Sequence, residues 1–335
     1  MARYALMIAA LVGFLVTAGV AVLLLPILQK IRFAQPAKRL TGPEWHKQKA
    51  GTPTLGGLAF LVGSVCAAGA ACFGLNFLDA KLLNTHQKMN LVLAVACAMA
   101  FAAIGFTEDC LKVVLHRRRG LHAWQRLLLE AVVTTFLLLG LHYNGALETG
   151  MVVPFVGYFD FGIAYYPLAY ALILALVNCV HLTDGIDGLC ASVSFVVMLG
   201  FLVICGLLNA FQLSLFAAGL AGALVAFLLW NFYPAKLFMG DTGSLFLGGA
   251  IVSIAFCMGW PSLLMLLGAA FLLEGLTVVL QLGWHKLSHG KLLFKMAPLH
   301  AELELKGWSE TRITAAFAAL AAAMTLLALL FAYVS

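Results

Sequence analysis

Long apolar runs separated by short polar segments make up most of the 335-residue chain. They fall at about 4–28, 55–75, 89–106, 127–143, 161–181, 189–208, 211–230, 243–258, 261–283 and 312–334. The runs are continuous and do not alternate, which excludes the strands of a membrane barrel. Most approach the roughly 20 residues that a helix needs to cross a bilayer. The pattern predicts an all-α polytopic membrane protein with about ten transmembrane helices, formed as one integral membrane domain over residues 1–335. Only the stretch LETGMVVPFVGYFD, residues 147–160, looks different, and it predicts a short hairpin.

Composition agrees with this class. Hydrophobic residues make up 63% and charged residues 10% of the chain, and mean hydropathy is +1.02, which excludes a soluble globule. The eight cysteines show no paired or metal-ligand spacing and read as small hydrophobes. The first run is longer than a signal-peptide core and reads as a retained span. Charge then orients the bundle. All but three of the 20 Lys and Arg (Arg3, Lys81 and Lys88) fall on the side of the loop 29–51. Basic loops stay in the cytoplasm, so the N- and C-termini are expected outside, with the hairpin. Most acids gather on the cytoplasmic side, so any chemistry is expected there, whereas a transporter would place its sites near the midplane.

Four of these polar stretches carry more than solvation. KAGTPTLGG, residues 49–57, could present backbone N–H groups to a phosphate or simply punctuate a helix start. GFTEDCLK places Glu108, Asp109 and Lys112 within about one helical turn, where an i,i+4 salt bridge is the competing reading. NCVHLTDGIDGL carries Asp184 and Asp187 in a glycine-punctuated turn between two spans. In NFYPAKLFMGDTGS, Asp241 stands at the mouth of a span, where it could be only an N-cap. Capping accounts for one aspartate but not for five carboxylates in three loops facing one compartment. Magnesium does, since it takes one or two carboxylates together with substrate phosphates. Phosphoryl transfer across a metal-bridged pyrophosphate is the reaction such a site fits. Beyond these stretches, His300 lies in the last long loop, and Glu274 and Gln281 share one face of the ninth run.

Taken together and in order, GTPTLGG, GFTEDCLK, NCVHLTDGIDGL, FMGDTGSL and MAPLHAELELKGWSE resemble the motifs of the phospho-N-acetylmuramoyl-pentapeptide transferase family, within the polyprenyl-phosphate sugar-1-phosphate transferases. The likeness covers residues 28–312. It implies transfer of phospho-MurNAc-pentapeptide from UDP-MurNAc-pentapeptide to undecaprenyl phosphate, giving lipid I and UMP with Mg2+ for peptidoglycan synthesis. The setting it implies is the bacterial cytoplasmic membrane, with membrane lipid around the protein, a homodimer and no nucleic-acid partner. By the same resemblance Asp241 is a metal ligand and Asn231 lies near the metal. Glu108, Asp109, Lys112 and His300 join Asp241 in the catalytic set, with Asp109 activating the lipid phosphate. Asp184 and Asp187 approach the uridine and diphosphate, with His181 beside them. Lys49, Thr54, Phe238 and Gln281 line the nucleoside pocket, with Phe238 stacking on uracil.

The chain also departs from that pattern. Glu108 replaces an aspartate, His181 an asparagine, and Ala301 and Glu302 replace two of three histidines. Glu302 thereby puts a negative charge where diphosphate or peptide is expected to approach. The neighbouring readings are a GlcNAc-1-phosphate transferase and a binding-only paralogue with reduced activity.

Overall fold

The computed structural model describes residues 2–31, 33, 51–78, 83–115, 120–153 and 156–334. Its helices are α1 (Ala2–Lys30), α2 (Gly57–Leu78), α3 (Thr85–Val113), α4 (Ala123–Tyr143), α5 (Tyr165–Thr183), α6 (Leu189–Leu207) and α7 (Phe211–Asn231). They continue with α8 (Gly240–Cys257), the short α9 (Leu264–Leu267), α10 (Ala269–Leu287), the short α11 (Leu299–Leu305) and α12 (Glu310–Val334). The protein is thus an all-α polytopic membrane protein. Among the described residues eight helices are long and apolar enough to cross a membrane, or nine if α9 and α10 with their preceding turn form one bent span. A further apolar helix, Gly57–Phe73, is shorter.

The centre of the bundle is α8, every residue of which is buried. A helix apolar on all sides belongs in the interior, and α8 packs along α3 and α5, with α2 at its flank. The outer helices turn large apolar side chains outward, among them Leu15, Phe136, Val279 and Leu326. In a bilayer such side chains meet lipid at no cost.

Local chemistry moves three boundaries from where the apolar runs end. Asn84 and Gln87 form a reciprocal capping box, which starts α3 ahead of its apolar run. At its other end α3 continues to Val113, so Glu108, Asp109 and Lys112 sit on helix and not in a loop. The expected single span 261–283 is broken: the segments Pro261–Leu267 and Ala269–Leu287 meet at 80°. Hydropathy records composition and is blind to direction, so it ran the two together. The expected hairpin is present, with β1 (Gly150–Val153) antiparallel to β2 (Gly157–Asp160) and Gly150 opposite Asp160. Asp160 Oδ1 accepts from Gly162 N (2.9 Å) and Thr149 Oγ1 (2.8 Å), and these bonds hold its carboxyl below the usual carboxylate range. Ser262 Oγ donates to Val152 O and ties the hairpin to the bent segment.

Candidate active site

The N-terminus of α8 is where α3, the α5–α6 turn and the segment 53–57 converge. Asp109, near the end of α3, accepts from Asp241 N (3.2 Å), Thr242 N (2.9 Å) and Thr242 Oγ1 (2.7 Å). It therefore caps α8 from a neighbouring helix, satisfying donors that every helix start leaves open. One turn earlier the two backbones nearly touch, since a Cβ on Gly105 would fall 2.2 Å from Asp241 O.

Lys112 links the two carboxylates that the sequence placed in separate motifs. Its Nζ lies 2.9 Å from Glu108 Oε1 and also donates to Asp241 Oδ2. The i,i+4 salt bridge is thus real, but Glu108 is buried and the pair is no ordinary surface bridge. The network continues into α4 and α5. Arg126 Nη1 is 3.7 Å from Glu108 Oε2, its Nε is 3.6 Å from Glu130 Oε1, and its Nη2 donates to Asn178 Oδ1 at 3.0 Å. Asn178 Nδ2 in turn donates to Glu130 Oε2 at 2.7 Å. Acid and base alternate from Asp241 to Glu130, which makes so many charges tolerable within an apolar bundle.

Asp184 closes α5 and faces the same cluster. Burial, and then the charges of Asp241, Asp109 and Asp187, push its carboxyl up to about 8. His181, one turn back, points at α8: its Nδ1 is 3.0 Å from Ser244 Oγ and 4.0 Å from Asp241 Oδ1. Asp187 and Asn231 shape the loop before α8. Asp187 Oδ2 accepts from Ala235 N (2.8 Å) and its own N–H donates to Glu310 Oε2 (2.9 Å), while Asn231 Nδ2 donates to Leu237 O (2.9 Å).

Thr54 and Phe238 are brought together by backbone pairing. Phe238 N donates to Pro53 O (2.9 Å), and Gly56 N to Phe238 O (2.8 Å). Thr54 Oγ1 sits beside Gly240, buried and with no hydrogen-bond partner among the described residues. Lys49 lies outside the described residues, as does most of the loop 29–51.

Three further side chains make their bonds around the segment 293–306. His300 is on the short α11, and its Nδ1 is 3.1 Å from Glu274 Oε2. Gln281 spends its amide on backbone, accepting from Phe294 N (2.9 Å) and donating to Phe294 O (3.1 Å), so it shapes the 293–294 loop. Glu302 accepts from Met296 N (3.0 Å) and pairs with Lys306 Nζ (3.2 Å), which engages its charge within its own segment.

Sequence reasoning did not single out Arg126, Asn178, Thr242, Ser244 or Glu310. The i,i+4 spacing of Arg126 and Glu130 was the one local signal for any of them. Between α5 and α10, finally, lies an apolar groove of about 580 Å³, walled by Leu182, Met265, Leu272 and Leu276, with Asn178 as its polar residue.

Among the described residues no three His, Cys, Asp or Glu side chains are grouped to hold a metal on their own. The donor set still suits magnesium, which asks for one or two carboxylates and leaves its other positions to phosphate and water. Burial first, and then the charges of Asp241, Asp109 and Asp187, raise Asp184, so a cation placed among these carboxylates would be favoured by charge as well as by its oxygen donors.

Residues 91–259, which include α8 and most of this cluster, match the model for glycosyl transferase family 4. A phospho-N-acetylmuramoyl-pentapeptide-transferase from Clostridium novyi is 37% identical over 96% of this chain and 94% of its own length. Relatives bearing the same name from Heliobacterium modesticaldum and Halalkalibacterium halodurans are 39% and 36% identical, covering 94% and 93% of this chain and 92% and 93% of their own lengths. Similarity at that level over nearly the whole chain means that it belongs to the phospho-N-acetylmuramoyl-pentapeptide-transferase family.

Proposed function

We propose that the protein transfers phospho-MurNAc-pentapeptide from its UDP carrier to undecaprenyl phosphate, releasing UMP and forming lipid I. The setting is the bacterial cytoplasmic membrane, with one integral domain over 1–335, ten spans, both termini outside and the site on the cytoplasmic face. The observation that carries this reading is Lys112 bridging Glu108 and Asp241 at the start of α8, with Asp109 and Asp184 beside them. A basic side chain among crowded carboxylates suits a diphosphate and a divalent cation, because phosphoryl transfer needs positioning and charge neutralisation more than covalent help.

In this reading Asp241 holds magnesium, with Asn231 close by, and the metal supplies charge neutralisation for the diphosphate. Lys112 is ready to turn from Asp241 to a phosphate oxygen, leaving Glu108 as its anchor. Asp109 is the acid assigned to the lipid phosphate, and its bonds to α8 fix where that phosphate meets the donor. The Thr54 hydroxyl and the Phe238 ring form the nucleoside side with Lys49, while Gln281 holds the loop that closes it. Asp187 keeps the 231–239 loop in register, and His181 lies beside Asp241. The groove between α5 and α10 suits the prenyl chain of the acceptor. A chain that long is not covered by one such groove, so membrane lipid and a homodimer partner remain part of the proposed surroundings.

The decisive assay compares UDP-MurNAc-pentapeptide with UDP-GlcNAc as donor to undecaprenyl phosphate in detergent and measures UMP. Turnover with the first alone is expected. Turnover with UDP-GlcNAc alone would select the neighbouring sugar transferase, and nucleotide binding without UMP release from well-folded protein would select the binding-only reading. The relatives named above favour the muramoyl donor.

Two outcomes follow for the ions. Chelation of divalent metal should stop the transfer and magnesium restore it. Below about pH 8 the Asp184 carboxyl holds a proton that a nearby cation must compete with, so magnesium affinity should rise with pH and level off above that value. Calorimetry in buffers of different ionisation enthalpy would detect the released proton; an affinity flat from pH 6 to 9 would remove Asp184 from the metal's neighbourhood. Lys112→Met should lower kcat/KM by roughly 10²-fold, the usual cost of one aligned charge donor, with KM for the donor rising.

A further inference from the structure

Glu274 is wholly buried in α10 and has no part in the roles above. A carboxylate at that depth is costly unless something donates to it. The donor is His300. Its backbone N–H reaches Glu274 Oε1 at 3.2 Å and Oε2 at 3.4 Å, and its Nδ1 lies 3.1 Å from Oε2. An ionised carboxylate only accepts, so on this side of the ring the proton sits on Nδ1. The opposite nitrogen, Nε2, abuts the DGID turn: a Cβ added to Gly185 would fall 2.1 Å from it. Gly185 follows Asp184, whose carboxyl feels Asp241 and Asp109. Glu302, two residues along α11, is committed to Met296 N and Lys306 and does not compete for the ring.

We propose that Glu274 is a positioning residue for the transfer, fixing the tautomer and tilt of His300 so that Nε2 is presented to the phosphates gathered at the Asp184 turn. The proposal rests on the transferase reading above. A buried acid could instead serve only to staple α11 to α10, and the two roles differ in what they move.

The test compares Glu274→Gln, Glu274→Asp, His300→Gln and the Glu274→Gln/His300→Gln double variant for kcat, both KM values and thermal unfolding. Glu274→Gln keeps the shape and one acceptor but loses the charge. It should lower kcat roughly 10–100-fold, the range for residues that orient an active imidazole, with both KM values changed less than about twofold. Glu274→Asp should recover part of the loss, and the double variant should be no slower than His300→Gln. A full kcat in Glu274→Gln, or additive losses in the double variant, overturns the proposal. So does a fall in melting temperature that alone accounts for the lost activity. A second measurement stands apart from activity. With 15N-labelled histidine, the His300 ring, assigned by difference from His300→Gln, should carry its proton on Nδ1 in the wild-type protein and lose that preference in Glu274→Gln. If wild-type protein shows the Nδ1 tautomer but no transfer with any donor, the transferase reading fails while the Glu274 pairing stands; an Nε2-protonated ring defeats the pairing itself.

Discussion

Asp241→Asn should abolish turnover, by roughly 10³-fold or more, while leaving the bundle folded. The size follows from the loss of a charge aligned with the reacting groups, here the carboxylate proposed to hold the metal and the one that Lys112 bridges to Glu108. The fold should survive because α8 is capped through the Asp241 backbone and Thr242, which the substitution leaves in place. Lys112 also keeps Glu108 as a partner. UMP release and thermal unfolding, measured on one preparation, separate the two effects. Turnover within tenfold of wild type would take Asp241 out of the catalytic set.

Gly105→Ala should cost both stability and activity although it removes no chemical group. The new Cβ meets Asp241 O at 2.2 Å and Thr242 N at 2.7 Å, and these are backbone atoms that cannot rotate away. Overpacking of this kind costs roughly 1–3 kcal/mol. The strain falls on the first turn of α8, and a displacement of about 1 Å there is enough to cost about 10²-fold in rate. Gly69→Ala is the control, because nothing lies within 4 Å of its Cβ. It should be silent or slightly stabilising, since alanine is the better helix former. Equal melting temperatures and rates for the two variants would show that the α3–α8 crossing has slack.

Much of this organisation was legible in the sequence because it is written locally. Continuous apolar runs encode spans, and the clustering of acids beside basic loops located Glu108, Asp109, Lys112, Asp184 and Asp241, which the fold does bring together. The partners that those groups choose were hidden. Asp109 reads as a free catalytic acid until its oxygens are found on α8, 132 residues away at Asp241 and 133 at Thr242. Gln281 reaches from α10 to the backbone of Phe294, and Glu302 to that of Met296, because an amide or carboxylate that is pulled from water takes the nearest N–H. The 80° bend was equally invisible, since Leu264–Leu267 and the residues after it are apolar on both sides of the joint. The departures at His181 and Glu302 take on different weights. His181 faces Asp241 and Ser244 inside the cluster, whereas the Glu302 charge is already engaged.

The enclosure of α8 bears on how the site can move. A helix packed on every face opens only when its neighbours separate, so its amides should exchange with solvent near the rate of global unfolding. Asp241 and Thr242 sit on the first turn of that helix, beneath the Asp109 cap. The acid cluster is therefore a fixed anvil, and whatever adjustment a bulky donor and a lipid acceptor require must come from the segments around it.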